Sequence, residues 1–231
     1  MEKKTVLVTG AASGLGKAIA GAFHALGHNV IRLDIQGQVR VDVTSSSSTR
    51  LVGESVDKVD VLVNCAGINS NEWFEDLNRA TFDRVMGTNA WGIVNMTQSV
   101  LRQLIESKGT VINIVSNAAH IPMTSSLSYN ASKAAALMIT KQMAHELTPR
   151  HGITVFSVSP NKLSGTGMSK AIEDNVVKTR GWTAEYAREY QRKALMHGRE
   201  TDPEALGKFI AGLVQNEDIR FLSGCDIPYG K

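Results

Sequence analysis

"TVLVTGAASGLG" (residues 5–16) carries the strongest fold signal in the chain. Its first half reads as a short buried strand, and an apolar periodic run from about Leu15 to Leu26 reads as a helix. Between them lie Gly10, Gly14 and Gly16. Strand, glycine turn and helix together form the arrangement in which backbone amides at a helix N-terminus receive a phosphate. The glycines let the chain turn sharply and approach a pyrophosphate. Their spacing is G-x-x-x-G-x-G, so the match is to that physical arrangement and not to the G-x-G-x-x-G pattern.

The same alternation of strand and helix repeats along the chain. "NVIRLD" (29–34), "VRVDV" (39–43), "VDVLVNCAG" (59–67), "GTVINIVS" (109–116), "GITVFSVSP" (152–160) and "RFLSG" (220–224) read as further strands. Helical patterns fall near 81–105, 126–148 and 203–215, and "TSSSST" (44–49) reads as a turn leading into a short helix. Strands alternating with helices imply right-handed βαβ crossovers. The expected fold is α/β: one Rossmann-type, doubly wound parallel sheet of about seven strands, with helices on both faces, as a single domain over residues 1–231. One junction resists. Between Asp34 and Val39 lie only "IQGQ", whereas a parallel crossover takes about 10–12 residues. A local antiparallel ribbon fits this stretch. So does an extended return to the bottom of the sheet without a helix, which is favoured because it leaves both flanking aspartates at the carboxyl end.

Composition narrows the partners. The 231 residues are 42% hydrophobic and 20% charged, with a formal charge of +3 and acids interspersed among the bases. No basic stripe of the kind that marks nucleic-acid binding is present, and the apolar runs fall short of the ~20 residues of a membrane span. The amino terminus reads as an early strand rather than a signal peptide. Cys65 and Cys225 give neither a disulfide framework nor metal-ligand spacing, so a cytoplasmic setting and no metal are expected.

Asp34 ends the second strand about 20 residues after the glycines. An acid there accepts hydrogen bonds from a ribose 2′-hydroxyl and repels a 2′-phosphate, so NAD is favoured over NADP. Arg32, two positions earlier, is the one feature that blurs this choice. Further on, "SYNASKAAA" (128–136) places Tyr129 and Lys133 four apart on one helical face among small residues.

"TGAASGLG" (9–16), "NCAG" (64–67), Asn89, Ser116 and "YNASK" (129–133), in this order, resemble the short-chain dehydrogenase/reductase family in its main, shorter branch. The resemblance covers about residues 5–160 and continues more weakly beyond. It implies a catalytic tetrad of Asn89, Ser116, Tyr129 and Lys133. A phenol near pKa 10 is a poor base at neutral pH. A nearby ammonium and an oxidised nicotinamide favour the phenolate, so that Tyr129 exchanges a proton with an alcohol or ketone. Ser116 would hydrogen-bond the reacting oxygen. Lys133 would also hold the nicotinamide ribose, and Asn89 would anchor a water or tie a helix kink. The implied cofactor site comprises Gly10, Ser13, Gly14, Leu15 and Gly16 in the loop. Asp34, Asp42, Val43, Asn64, Ala66 and Gly67 follow around the adenosine, and Tyr129, Lys133, Pro160 and Thr166 at the other end. Cys65 fills a variable position as a packed small hydrophobe, and Asp60 has a structural role.

The chain departs from this pattern after the sixth strand. "SPNKLSGTGM" (159–168) has Asn161 where the family has glycine, implying a left-handed Asn or a shifted loop, and Thr166 falls about one residue late. The usual Asp-Gly-Gly close is missing from "FLSGCDIPYGK" (221–231), and the helix between strands two and three is absent. Substrate selection is expected from a lid over 161–200, which carries Met168, Trp182, Tyr186 and Met196; a plain surface helix pair is the alternative. "SNAAHIPMTSSLSYNASKAAAL" (116–137) resembles the corresponding part of 2,3-dihydro-2,3-dihydroxybenzoate dehydrogenases, which makes a cyclic diol or hydroxy-acid one candidate. His120 either faces the substrate or sits exposed on its loop. Trp73, Phe74 and Trp91 are read as core or subunit-interface residues, and the family's habit of pairing through long helices implies a homodimer or homotetramer. The expected activity is an NAD-dependent oxidoreductase acting on a small secondary alcohol or ketone. An NADPH-dependent ketone reductase and a non-catalytic cofactor sensor on the same fold remain as alternatives.

Overall fold

The computed structural model describes residues 2–193, 195 and 197–230, so Met196 lies outside the described residues. In chain order the elements are β1 (Thr5–Thr9), α1 (Gly14–Ala25), β2 (Asn29–Asp34), β3 (Val39–Arg40), α2 (Ser46–Ser55) and β4 (Val61–Asn64). Then come α3 (Arg79–Met86), a π-helical turn (Gly87–Trp91), α4 (Gly92–Ser99), α5 (Leu101–Ser107), β5 (Thr110–Ile114), α6 (Leu127–His151) and β6 (Thr154–Pro160). The chain ends with α7 (Gly167–Arg180), α8 (Ala184–Lys193), α9 (Pro203–Leu213) and β7 (Asp226–Tyr229). The strands form one parallel sheet of seven, in the order β3-β2-β1-β4-β5-β6-β7.

Period-two alternation makes the two-faced core. Val6, Val8, Val61, Val63, Ile112, Ile114, Phe156 and Val158 point to the face covered by α1 and α9, where Ile19, Phe23, Leu206 and Ile210 are buried. Leu7, Leu62, Val111 and Val155 point to the other face, against Met96, Val100 and Leu104. Strand order reverses at β1, whose neighbours are β2 and β4. The crevice beyond the carboxyl ends of β1 and β4 is therefore the topological switch point, where ligands bind in such sheets.

Three sequence expectations are corrected. The short junction is parallel, with Leu33 beside Val39 and Asp34 beside Arg40, but the chain does not return to the bottom of the sheet. It loops at the top, where the Gly37 and Val41 amides both donate to the Asp34 carbonyl, and only two pairs form. The helix expected over 81–105 is broken, because the π turn at Gly87–Trp91 and the non-helical Val100 interrupt the ladder. The last strand is not "RFLSG": Glu217–Leu222 is a 3₁₀ turn, and β7 starts after Gly224 (φ +82°). Pro228 is accommodated because β7 is an edge strand. The Asp226 carboxylate fixes the strand's register by accepting from the Ser157 and Ser159 hydroxyls of β6.

Candidate active site

A cleft of about 1030 Å³ opens at the switch point. That is at the upper end for a single ligand, so a dinucleotide and a substrate can share it. At one end stand Asp34, Asp42 and Val43. The glycine turn and Cys65–Gly67 lie in the middle, and Ser116, Tyr129, Lys133, Pro160 and Thr166 complete the lining.

The glycine turn is built by close backbone approach. Gly10 (φ +68°) lies so near the β4 loop that a Cβ would stand 2.9 Å from Ala66 Cα, and a Cβ on Gly16 would stand 2.1 Å from the Gly10 carbonyl oxygen. Thr9 Oγ1 pins that loop by accepting from the amides of Cys65 and Ala66. Ser13 is the N-cap of α1, yet its side chain makes no capping bond. The leading amides of α1 are thus left for an anion in the cleft, as a dinucleotide pyrophosphate requires. Ser13, Gly14, Leu15 and Gly16 all line this region.

At the first end of the cleft the Asp34 carboxylate accepts from the Ala12 amide (3.0 Å) and the Gln36 amide (2.9 Å), which fixes it beside the glycine turn. Arg32 is exposed and does not line the cleft. Asp42 accepts from the Thr44 amide and hydroxyl, and Asn95 donates to the Val43 carbonyl, which holds the adjoining wall.

At the other end Tyr129 and Lys133 sit one turn apart near the start of α6, 9% and 5% exposed. Lys133 Nζ lies 5.8 Å from the Tyr129 ring centroid and donates to the Ile114 carbonyl at the end of β5. Burial brings the Lys133 ammonium down from 10.5 to about 8. Burial also pushes the Tyr129 phenol above its usual value, while the Ser116 side chain pulls it back. In the chain alone, desolvation therefore outweighs the pull of the Ser116 hydrogen bond. Ser116 stands two residues beyond β5, and its Oγ accepts from the Ala118 amide.

Asn64 and Asn89 are behind the cleft wall and do not line it. Asn64 donates to Asn113 and Thr97, clamping β4 to β5 and α4. Asn89, in the π turn, accepts from the Ile68 amide and donates to the Ile68 carbonyl and Ser132 hydroxyl. It ties the π turn to the β4 loop and to α6, and Gly67 lies close to both it and the lysine. A Cβ there would stand 3.3 Å from Asn89 Oδ1 and 3.7 Å from Lys133 Nζ.

Pro160 ends β6, and Asn161 continues its ladder by donating from its amide to the Tyr229 carbonyl. Asn161 does not adopt a left-handed conformation. Thr166 caps α7 and lies against Gly14. Cys65 lines the cleft with its thiol pushed up to about 12 by burial, a protonated packing group. Asp60 is structural, accepting from the Thr5 amide and pairing with Lys58. His120 does not line the cleft: its Nε2 is 2.9 Å from Asp226 Oδ2. Trp73, Phe74 and Trp91 are exposed and none is core. Sequence reading passed over Asn130, which donates to the Ala118 and Ile121 carbonyls and accepts from the Met123 amide. It shapes the loop that walls the cleft, and its signal was an amide in the first helical turn between Tyr129 and Lys133.

The family model described as "short chain dehydrogenase" matches residues 4–176, and the chain belongs to that family. It is an NAD(P)-dependent oxidoreductase acting on alcohol or ketone groups. The NAD-dependent glycerol dehydrogenase of Listeria innocua is 34% identical over 177 residues, 68% of this chain and 69% of that protein. The sorbitol-6-phosphate 2-dehydrogenase of Klebsiella pneumoniae is 28% identical over 93% of this chain and 90% of its own. Among solved structures, a single-substitution variant of actinorhodin polyketide ketoreductase with NADPH superposes with a TM-score of 0.90 at 25% identity, covering 98% of this chain and 95% of that one.

Proposed function

We propose that the chain oxidises a small secondary alcohol, or reduces the matching ketone, with NAD(H) as its cofactor and Tyr129 as general acid/base. The observation that carries this reading is the convergence of Ser116, Tyr129 and Lys133 on the cleft that also holds the glycine turn and Asp34. When bound, NAD⁺ supplies the two-electron acceptor and a positive charge beside the site. The Tyr129 oxygen takes the proton of the substrate hydroxyl, or returns it to a carbonyl oxygen in reverse. Ser116 donates a hydrogen bond to the same oxygen and stabilises charge as it develops. Lys133, brought near neutrality by burial, favours the phenolate when protonated and exchanges protons with its surroundings. Asn89 acts through Ile68 and Ser132 as a positioning residue.

Asp34 supports NAD over NADP: its carboxylate is fixed at the adenosine end, and Ile35 and Gln36, which follow it along the cleft, carry no charge. The rest of the assigned cofactor site is the lining already described, with Pro160 and Thr166 at the nicotinamide end and Asn64 acting from behind. Residues 161–200 serve as the substrate lid of a single domain, since Met168, Ile172 and Val176 of α7 and Tyr190 of α8 line the cleft. Exposed Trp91, after α3, and Met138, on α6, suit contacts between copies in a homodimer or homotetramer. The test is nicotinamide absorbance with purified protein over a panel of secondary alcohols and ketones, with NAD(H) beside NADP(H). Turnover with NAD(H) supports the proposal; turnover confined to NADP(H) overturns the cofactor assignment.

A further inference from the structure

The lid carries a cation that the proton chemistry does not use. Met168, Ile172, Val176 and Arg180 recur every four residues along α7 and all line the cleft, so Arg180 extends its apolar stripe at the end farthest from Thr166. Its guanidinium stacks on the Trp182 ring, 4.7 Å from the centroid, and Trp182 is itself held between Tyr186 and Tyr190. That packing fixes the planar group. Yet Arg180 Nε is buried with no hydrogen-bond partner, and no carboxylate among the described residues pairs with the guanidinium. Protein covers Nε, so an acceptor in the cleft can meet only the terminal Nη groups, which no hydrogen bond or ion pair among the described residues engages.

Two other cations of the cleft are committed elsewhere: Lys133 donates to Ile114, and Lys162 is held by Glu200 and Gln191. Arg84 lines the cleft from α3 and is not part of the lid. We infer that Arg180 receives a carboxylate of the substrate, which makes the substrate a hydroxy or oxo acid whose acid group lies several bonds from the reacting carbon. A single fork suits a singly charged planar acceptor better than a phosphate dianion. Arg180 stands at the opposite end of α7 from Thr166, so the acid group lies apart from the reacting carbon. This inference rests on the hydride-transfer reading above and adds the substrate class.

The test loads the protein with NADH and titrates 4-oxopentanoate, 6-oxoheptanoate and 8-oxononanoate, each beside its methyl ester, by calorimetry. Dihydroxyacetone phosphate is titrated in parallel, and wild type, R180Q and R180K are compared. Expected is an acid-over-ester preference of about tenfold or more for at least one length, as one charge-assisted hydrogen bond gives. It falls to about one in R180Q and is partly kept in R180K. No preference at any length, a preference that survives R180Q, or tighter binding of the phosphate than of every acid would overturn the assignment. A variant that only lowers thermal stability, with the ratio intact, shows a helix-ending role and also overturns it. Failure of NADH itself to bind would instead refute the cofactor reading, so the two failures are distinct.

Discussion

Removing the Asp34 carboxylate tests how the cofactor is chosen. Asp34→Ala deletes the acceptor of the Ala12 and Gln36 amides, both near the surface, where water replaces it. The fold therefore changes little, and the effect falls on the cofactor. A ribose hydroxyl donating to a carboxylate gains about 1.5–3 kcal/mol, so NADH binding weakens roughly 10- to 100-fold. A 2′-phosphate carries about −1.5 to −2 charges. At a separation near 5 Å and close to the water limit, each charge costs about 1 kcal/mol against the carboxylate, so its removal strengthens NADPH binding by about 1.5–2 kcal/mol. Together the NADH-to-NADPH ratio swings by about 3–5 kcal/mol, roughly 10²- to 10⁴-fold. Fluorescence titration of both cofactors into wild type and variant reads this directly, and added salt shrinks the NADPH part because surface charges are screened. A ratio unchanged by Asp34→Ala, or a wild type that binds NADPH as tightly as NADH, would show that Asp34 does not select the cofactor.

Other outcomes follow from the same geometry. Gly16→Ala places a Cβ 2.1 Å from the Gly10 carbonyl oxygen, so the turn must open; a loss of about 1–3 kcal/mol of stability is expected in thermal melts, together with loss of NADH binding in titration. Lys133 falls to about 8 in the folded chain against 10.5 when free. The unfolded chain then holds the extra proton between those values, so the lysine's stability penalty is complete below pH 8 and is relieved as pH rises toward 10.5. Relative to Lys133→Met, wild type should gain stability between pH 7 and pH 9.5 in urea titrations, and a flat difference would contradict the buried ammonium.

The parts of the fold legible in the sequence were those written in local pattern. β1, the glycine turn and α1 declare themselves within a dozen residues, and the alternation of Val6, Leu7 and Val8 carries the two-faced burial. Tyr129 and Lys133 were legible for the same reason, being one turn apart on one helix. What stayed hidden depends on partners distant in sequence. β7 is fixed by Asp226 reaching Ser157 and Ser159, about 70 residues earlier, while Pro228 argues locally against a strand. The break at Gly87–Trp91 comes from Asn89 tying to Ile68 and Ser132, and helical periodicity does not register one extra residue in a turn. Asn64 stands out in "NCAG" but is directed into the sheet by Asn113, which no local pattern announces. The raised phenol of Tyr129 reflects its burial, a property of the assembled cleft.

Tyr129→Phe isolates the proton exchange assigned to Tyr129. The ring and its packing are kept while the one oxygen that handles the proton is removed. Steady-state absorbance with the best substrate of the panel should fall by about 10²- to 10⁴-fold, the usual contribution of a general acid or base. NADH affinity, measured on the same preparation, should stay within a few-fold of wild type. Turnover retained in Tyr129→Phe with NADH bound normally would contradict the account.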